Sequence, residues 1–222
     1  MQESESDKRA RIVETALKLF GRKGYYGARM SEIAQRAKVS PKTLYKYFAG
    51  KKQLFMAARD VAMDRLFDEV VSKIPGQPQD QDSLAIIKNA LKSYSEFIRE
   101  NRGMARVFAE AVAMVDEEVK ESERESFQTA VTAIALMMED DVNEGNLVLV
   151  ADPEKTAVLF LSLAALLIYA VMLDLDRKSV GDFDPASALD LFVDVMHGPA
   201  SRAPSLTAPV GSDPGGAGLA RG

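Results

Sequence analysis

Cysteine is absent from this sequence, and histidine occurs once, at His197. The first absence excludes disulfides, thiolate metal sites and a disulfide-stapled secreted scaffold, and it suits a reducing cytoplasm. With one imidazole and no thiol a zinc site lacks ligands, so no metal and no cofactor is expected. His197 stands beside Gly198 at the end of a predicted helix, where the helix dipole favours an imidazolium without any chemistry. No G-x-S-x-G elbow, phosphate loop or acid/base cluster occurs, which argues against an enzyme on a helical scaffold. Strand-like alternation is scarce; "NLVLV" at 146–150 is the best candidate and is short. The opening "MQESESDKRARIVETALKLF" has no apolar core region, so no signal peptide is expected. The longest apolar run, Ala157 to Leu173, is short for a membrane span and flanked by Asp152, Glu154, Asp174 and Asp176. That pattern fits a helix buried in protein and no membrane partner.

What is present is a globular composition with an uneven charge. Apolar residues make up 47% of the 222 residues, enough for one sizeable core or two small ones. The net charge of −5 hides a block from Lys8 to Arg59 that carries +12, followed by a body from Asp60 onward that carries −14. A basic end on an acidic body points to an anionic surface or nucleic acid at that end only.

Helical periodicity dominates, and the fold class expected is all-α. Ile12, Val13, Ala16, Leu17 and Phe20 form one stripe on a helix over 8–23, which Gly24 should stop in the αL conformation. A short helix follows at 30–37 with Ile33, Ala34 and Ala37 inward. After "KVS", Ser40 is an N-cap and Pro41 sits at N1 of a third helix, 41–48. A fourth runs over 51–74. "PGQPQDQD" at 75–82 reads as a linker, and further helices are expected at 82–100, 103–115, 117–144, 153–174 and 185–197. The expected division is a basic N-terminal domain at 8–68, with its fourth helix shared, a helical body at 75–198, and a Gly/Pro/Ser-rich disordered tail at 199–222.

Two short helices joined by a tight turn inside a basic block describe a helix-turn-helix, whose second member enters the major groove. On the helix from Pro41, Leu44 and Phe48 face the core. Pro41, Lys42, Thr43, Tyr45, Lys46 and Tyr47 are left outside, with chemistry for base edges, sugars and phosphates. Lys51 opens the next helix, where a cation and free N–H groups suit a phosphate.

The stretch "IVETALKLFGRKGYYGARMSEIAQRAKVSPKTLYKYFAGKKQLF" resembles the N-terminal domain of the tetracycline-repressor (TetR) family. Its markers are "A..LF...G", Gly27, "IA..A.VS", "LY.YF" and "K..L". The resemblance implies a three-helix DNA-binding domain and a variable helical domain that dimerises through its last two long helices and holds a small-molecule pocket. Ligand binding then changes the separation of two DNA-reading heads. The chain departs from the family at the start of helix two, where Ala28 and Arg29 replace a capping Thr or Ser. Arg29 can supply a cation and Ser31 a hydroxyl, with a weaker cap. The implied DNA-binding set is Arg29, Ser31, Ser40, Pro41, Lys42, Thr43, Tyr45, Lys46, Tyr47 and Lys51.

In the body the useful signal is apolar surplus. Residues 153–174 are apolar almost all round, so that helix should be buried on more than one side. Residues of about 155–174 with 185–197 are expected to form a homodimer interface suited to a palindromic operator. Met63, Phe67, Phe97, Met104, Phe108, Phe127, Met137, Met138, Tyr169 and Met172 are candidate walls of a pocket for a small hydrophobic or aromatic effector. The functional expectation is a cytoplasmic transcription regulator, a repressor released by that effector. The alternative is an effector-independent, architectural DNA-binding protein.

Overall fold

The computed structural model describes residues 4–73, 83–114 and 116–173. The expected helix at 185–197, His197 and the tail lie outside the described residues. Eight helices run through the described chain: α1 (Glu5–Gly27), α2 (Met30–Arg36), α3 (Pro41–Tyr47), α4 (Lys51–Ser72), α5 (Ser83–Glu100), α6 (Arg102–Val112), α7 (Glu117–Asn143) and α8 (Pro153–Met172). Among the described residues no strand occurs; the segment at 146–150 has a single bridge residue, Leu149.

Local chemistry explains most boundaries. Ser4 caps α1 by accepting from the Asp7 N–H at 3.0 Å, and Glu5 and Asp7 complement the positive end of the helix. Asp116 and Asp152 cap α7 and α8 in the same way. Asp141 of α7 reaches across to accept from the Ser83 N–H at the start of α5, at 2.7 Å. Gly145, at φ 78°, follows α7.

Gly24 differs from expectation. It breaks α1, but with φ 74° and ψ 170° it is in an extended conformation open to glycine rather than in αL. The helix resumes for one further turn to Gly27.

Among the described residues, two hydrophobic clusters hold the helices together. The first joins α1–α4, through Phe20, Ile33, Leu44, Phe48 and Phe55, to Phe97, Ile98, Val107 and Phe108 of α5 and α6. The second joins α5, α7 and α8 through Leu84, Leu91, Val131, Met138, Phe160 and Ala164. Helix α8 meets the expectation of burial only in part. Ala157, Phe160, Ala164, Leu167 and Val171 are buried, whereas Leu159, Leu166 and Tyr169 face outward among the described residues. By length and composition α8 could cross a membrane; here its buried stripe packs on α5, α6 and α7.

Candidate nucleic-acid interface

The turn between α2 and α3 is built from backbone hydrogen bonds. The Val39 N–H donates to the Ala34 carbonyl (3.0 Å) and the Lys38 N–H to the Gln35 carbonyl (3.1 Å), the pairing of a Schellman motif. Lys38 holds the left-handed position at φ 51°. Ser40 then caps α3 by accepting from the Thr43 N–H at 3.0 Å, and Pro41 is at the first helical position. Leu44 and Phe48 are buried, as the i, i+4 spacing requires. Removing a Leu-sized side chain from water contributes roughly 2–3 kcal/mol, so this pair fixes which face of the short helix looks out.

The expected residues are spread over the start of α2 (Arg29, Ser31), the cap and body of α3 (Ser40 to Tyr47) and the start of α4 (Lys51). Arg29, Ser31, Ser40, Pro41, Lys42, Tyr45 and Lys46 are exposed, while Thr43, Tyr47 and Lys51 are half-buried. Some are already engaged. The Ser40 and Thr43 hydroxyls are 2.8 Å apart. Lys46 pairs with Glu5 of α1 at 2.6 Å, and its ammonium lies 5.7 Å from the centre of the Tyr47 ring. The hydrogen bond and charge of Lys46 hold the Glu5 carboxyl below its ordinary value, and Glu5 holds Lys46 above its own. Arg29 occupies the N-cap of α2 and makes no side-chain capping bond, in line with the departure seen in the sequence.

Around α2, Glu32 gathers Lys23 (2.6 Å), Arg36 (3.1 Å) and Arg22 (3.8 Å). Lys23 is the first cause of its lowered pKa. Lys51 reaches over the Tyr25 ring, 4.7 Å from its centre, and donates to the Tyr26 carbonyl at 3.3 Å. Tyr26 was not among the expected residues, yet it is 89% exposed at the same corner. The "YY" doublet at 25–26 was its only signal. Glu5 was likewise not expected at this face; only the acidic start of the chain hinted at it.

The ten candidate pocket residues do not converge. Phe97 and Met104 border an open cleft of about 580 Å³ between α4, α5 and α6, beside Arg65, Asp68, Glu69, Ser72, Glu100 and Asn101. Phe108 and Met138 belong to the two separate clusters. Met63, Phe67, Phe127, Met137 and Tyr169 are exposed, and Met172 borders a smaller cleft between α1, α6 and α8.

Comparison with known proteins agrees with this geometry. Residues 12–58 match the family described as bacterial regulatory proteins, tetR family. The HTH-type transcriptional regulator YuxN of Bacillus subtilis is 36% identical over 66 residues, 30% of this chain and 23% of its own length. The match therefore spans about a quarter of that relative. YhgD, another HTH-type regulator of Bacillus subtilis, is 26% identical over 168 residues, 73% of this chain and 83% of its own. Among solved structures, FadR from Bacillus subtilis in complex with stearoyl-CoA aligns with a TM-score of 0.68 at 14% identity, over 84% of this chain and 96% of that one. AibR in complex with isovaleryl coenzyme A and operator DNA aligns with a TM-score of 0.62 at 20% identity, over 86% of this chain and 98% of that one. At such identities the likeness to the structures is one of fold.

Proposed function

We propose that this chain, whose residues 12–58 match the tetR family of bacterial regulatory proteins, is a repressor that a small acyl or aromatic ligand releases from its operator. The observation that carries the DNA-binding part is α3 itself. Its buried Leu44 and Phe48 leave Pro41, Lys42, Tyr45 and Lys46 on a convex outer ridge, within a block of +12 charge. A ridge of that kind fits a major groove, with lysines for guanine acceptors or phosphates and the Tyr45 ring for sugars or thymine methyls. In this reading Arg29, Ser31 and Lys51 hold the flanking phosphates, and residues 8–68 form the reading head on a body at 75–198.

The homodimer is part of the same proposal. The outward Leu159, Leu166 and Tyr169 of α8 give an apolar face of the kind that pairs two copies for a palindromic site. A cytoplasmic location follows from that role. The ligand class is supported by fold neighbours solved in complex with stearoyl-CoA and isovaleryl coenzyme A. Gel shifts with the duplex upstream of the chain's own gene, at fixed salt and against random competitor, test the first part. A complex that survives competitor supports it; equal affinity for every duplex would favour the effector-independent architectural alternative. Acyl-CoA thioesters and phenols that neither shift the melting temperature nor dissociate the complex would defeat the ligand part.

A further inference from the structure

Glu110 lies on α6, in the body, yet its side chain enters the head. Its Oε2 accepts from the Tyr25 N–H at 2.6 Å, a contact spanning 85 residues of sequence. The corner is shaped for that carboxylate. Gly24 is buried at φ 74°, and a Cβ there would stand 2.5 Å from the Glu110 Oε1. The Tyr25 ring is fixed in turn, stacked on Phe20 with centres 6.2 Å apart and edge-on to Phe55 at 5.1 Å. Lys51 uses this ring as its platform. Lys51 is also the first residue of α4, whose N-cap Gly50 offers no side chain, so its cation and the open N–H groups of the first turn lie together. Burial holds the Lys51 ammonium below its ordinary pKa, and the charge of Glu110 opposes that shift. The neighbouring Lys52 is instead held by Asp116 (3.2 Å) and Glu118 (2.6 Å).

We propose that Glu110 is a positioning residue for DNA binding: through the Tyr25 amide it sets the ring on which Lys51 is aimed at a backbone phosphate. The inference rests on the DNA-binding reading above. It also names a route by which a change in the body reaches the head. Any displacement of α6 drags the Tyr25 amide, tilts the platform and withdraws one phosphate contact. The coupling needs no change in α3.

The test measures affinity of the full chain for the fluorescein-labelled upstream duplex by anisotropy across a salt series. Each phosphate contact contributes about 0.9 to the slope of log K against log salt. Lys51→Ala is expected to reduce the slope by about one. Glu110→Ala should reduce it by the same amount with α3 intact, and the double variant should lose no more than either single one. Glu110→Gln, whose amide oxygen still accepts the Tyr25 N–H, should restore the slope. Tyr25→Leu, which removes the platform from the head side, should repeat the loss and covers the case in which Glu110→Ala does not fold. An unchanged slope in folded Glu110→Ala, or losses that add in full in the double variant, would overturn the role of Glu110. Wild-type protein with no salt-dependent affinity for any duplex would overturn the DNA-binding reading instead.

Discussion

Lys38 occupies a backbone conformation that an L-residue adopts at some cost. At φ 51° it holds the position after α2 where glycine is the favoured residue. Lys38→Gly is therefore expected to stabilise the chain by about 1 kcal/mol, seen as a higher urea midpoint at unchanged m-value. Two residues later the sign reverses. Ser40→Ala removes the acceptor for the Thr43 N–H and should destabilise by about 1 kcal/mol, with weaker duplex binding because α3 begins less firmly. Ser40 and Pro41 were legible in the sequence because capping is a local rule: the donor is three residues away. Glu110 was not, since nothing at position 110 announces a partner at Tyr25. Gly24 was half legible. A glycine between two helical patterns marks a break, but nothing local announces the extended ψ of 170° or the Glu110 carboxylate that lies beside it.

At the scale of elements, α1 is moored to α6 more closely than side chains would allow. A Cβ on Gly21 would lie 2.9 Å from the backbone of Gly103, whereas one on Gly103 would lie 3.4 Å from Gly21. Gly21→Ala must therefore part the helices and should cost about 1–3 kcal/mol; Gly103→Ala should be close to neutral. Thermal melts of the two variants check this asymmetry. Helix α1 is also tied to α4 by Glu14 and Arg65. Partial burial opposes ionisation of Glu14, but Arg65 and Lys18 outweigh it and hold its carboxyl below the ordinary value. A depressed carboxylate stabilises the fold above its unfolded pKa, and that contribution disappears as pH falls through the folded one. Arg65→Gln should thus lower stability by about 0.5 kcal/mol near neutrality, and the difference should vanish below the ordinary carboxylate range.

The faces of α1, α2 and α3 were readable because their apolar residues recur at helical spacing. The pocket set was chosen by residue type instead, and type carries no direction. Phe67 and Phe127 resemble Phe97 and Phe108 in composition, but the first two point outward and the second two inward.

At the scale of the whole molecule, the outward face of α8 is the feature with the largest expected effect. Leu166 is 61% exposed on a helix whose opposite face is buried. In the proposed homodimer Leu166→Glu should convert dimer to monomer in sedimentation at micromolar concentration, and operator affinity should fall with it; a wild-type chain that sediments as a monomer would remove the dimer from the proposal. The charge asymmetry legible in the sequence has a structural counterpart. Basic and acidic parts meet where Lys52 pairs with Asp116 and Glu118, and where Arg59, buried on α4, pairs with Glu123 of α7 at 2.7 Å.

The first hydrophobic cluster runs across the proposed boundary between reader and body: Phe20 and Phe55 share it with Val107 and Phe108. Chimeric regulators made by grafting this chain's first four helices onto a foreign scaffold would thus inherit an open wound where α6 belongs. A transplant that keeps α6 with the graft should remain soluble, whereas an exchange made between α4 and α5 should precipitate or lose its grip on DNA.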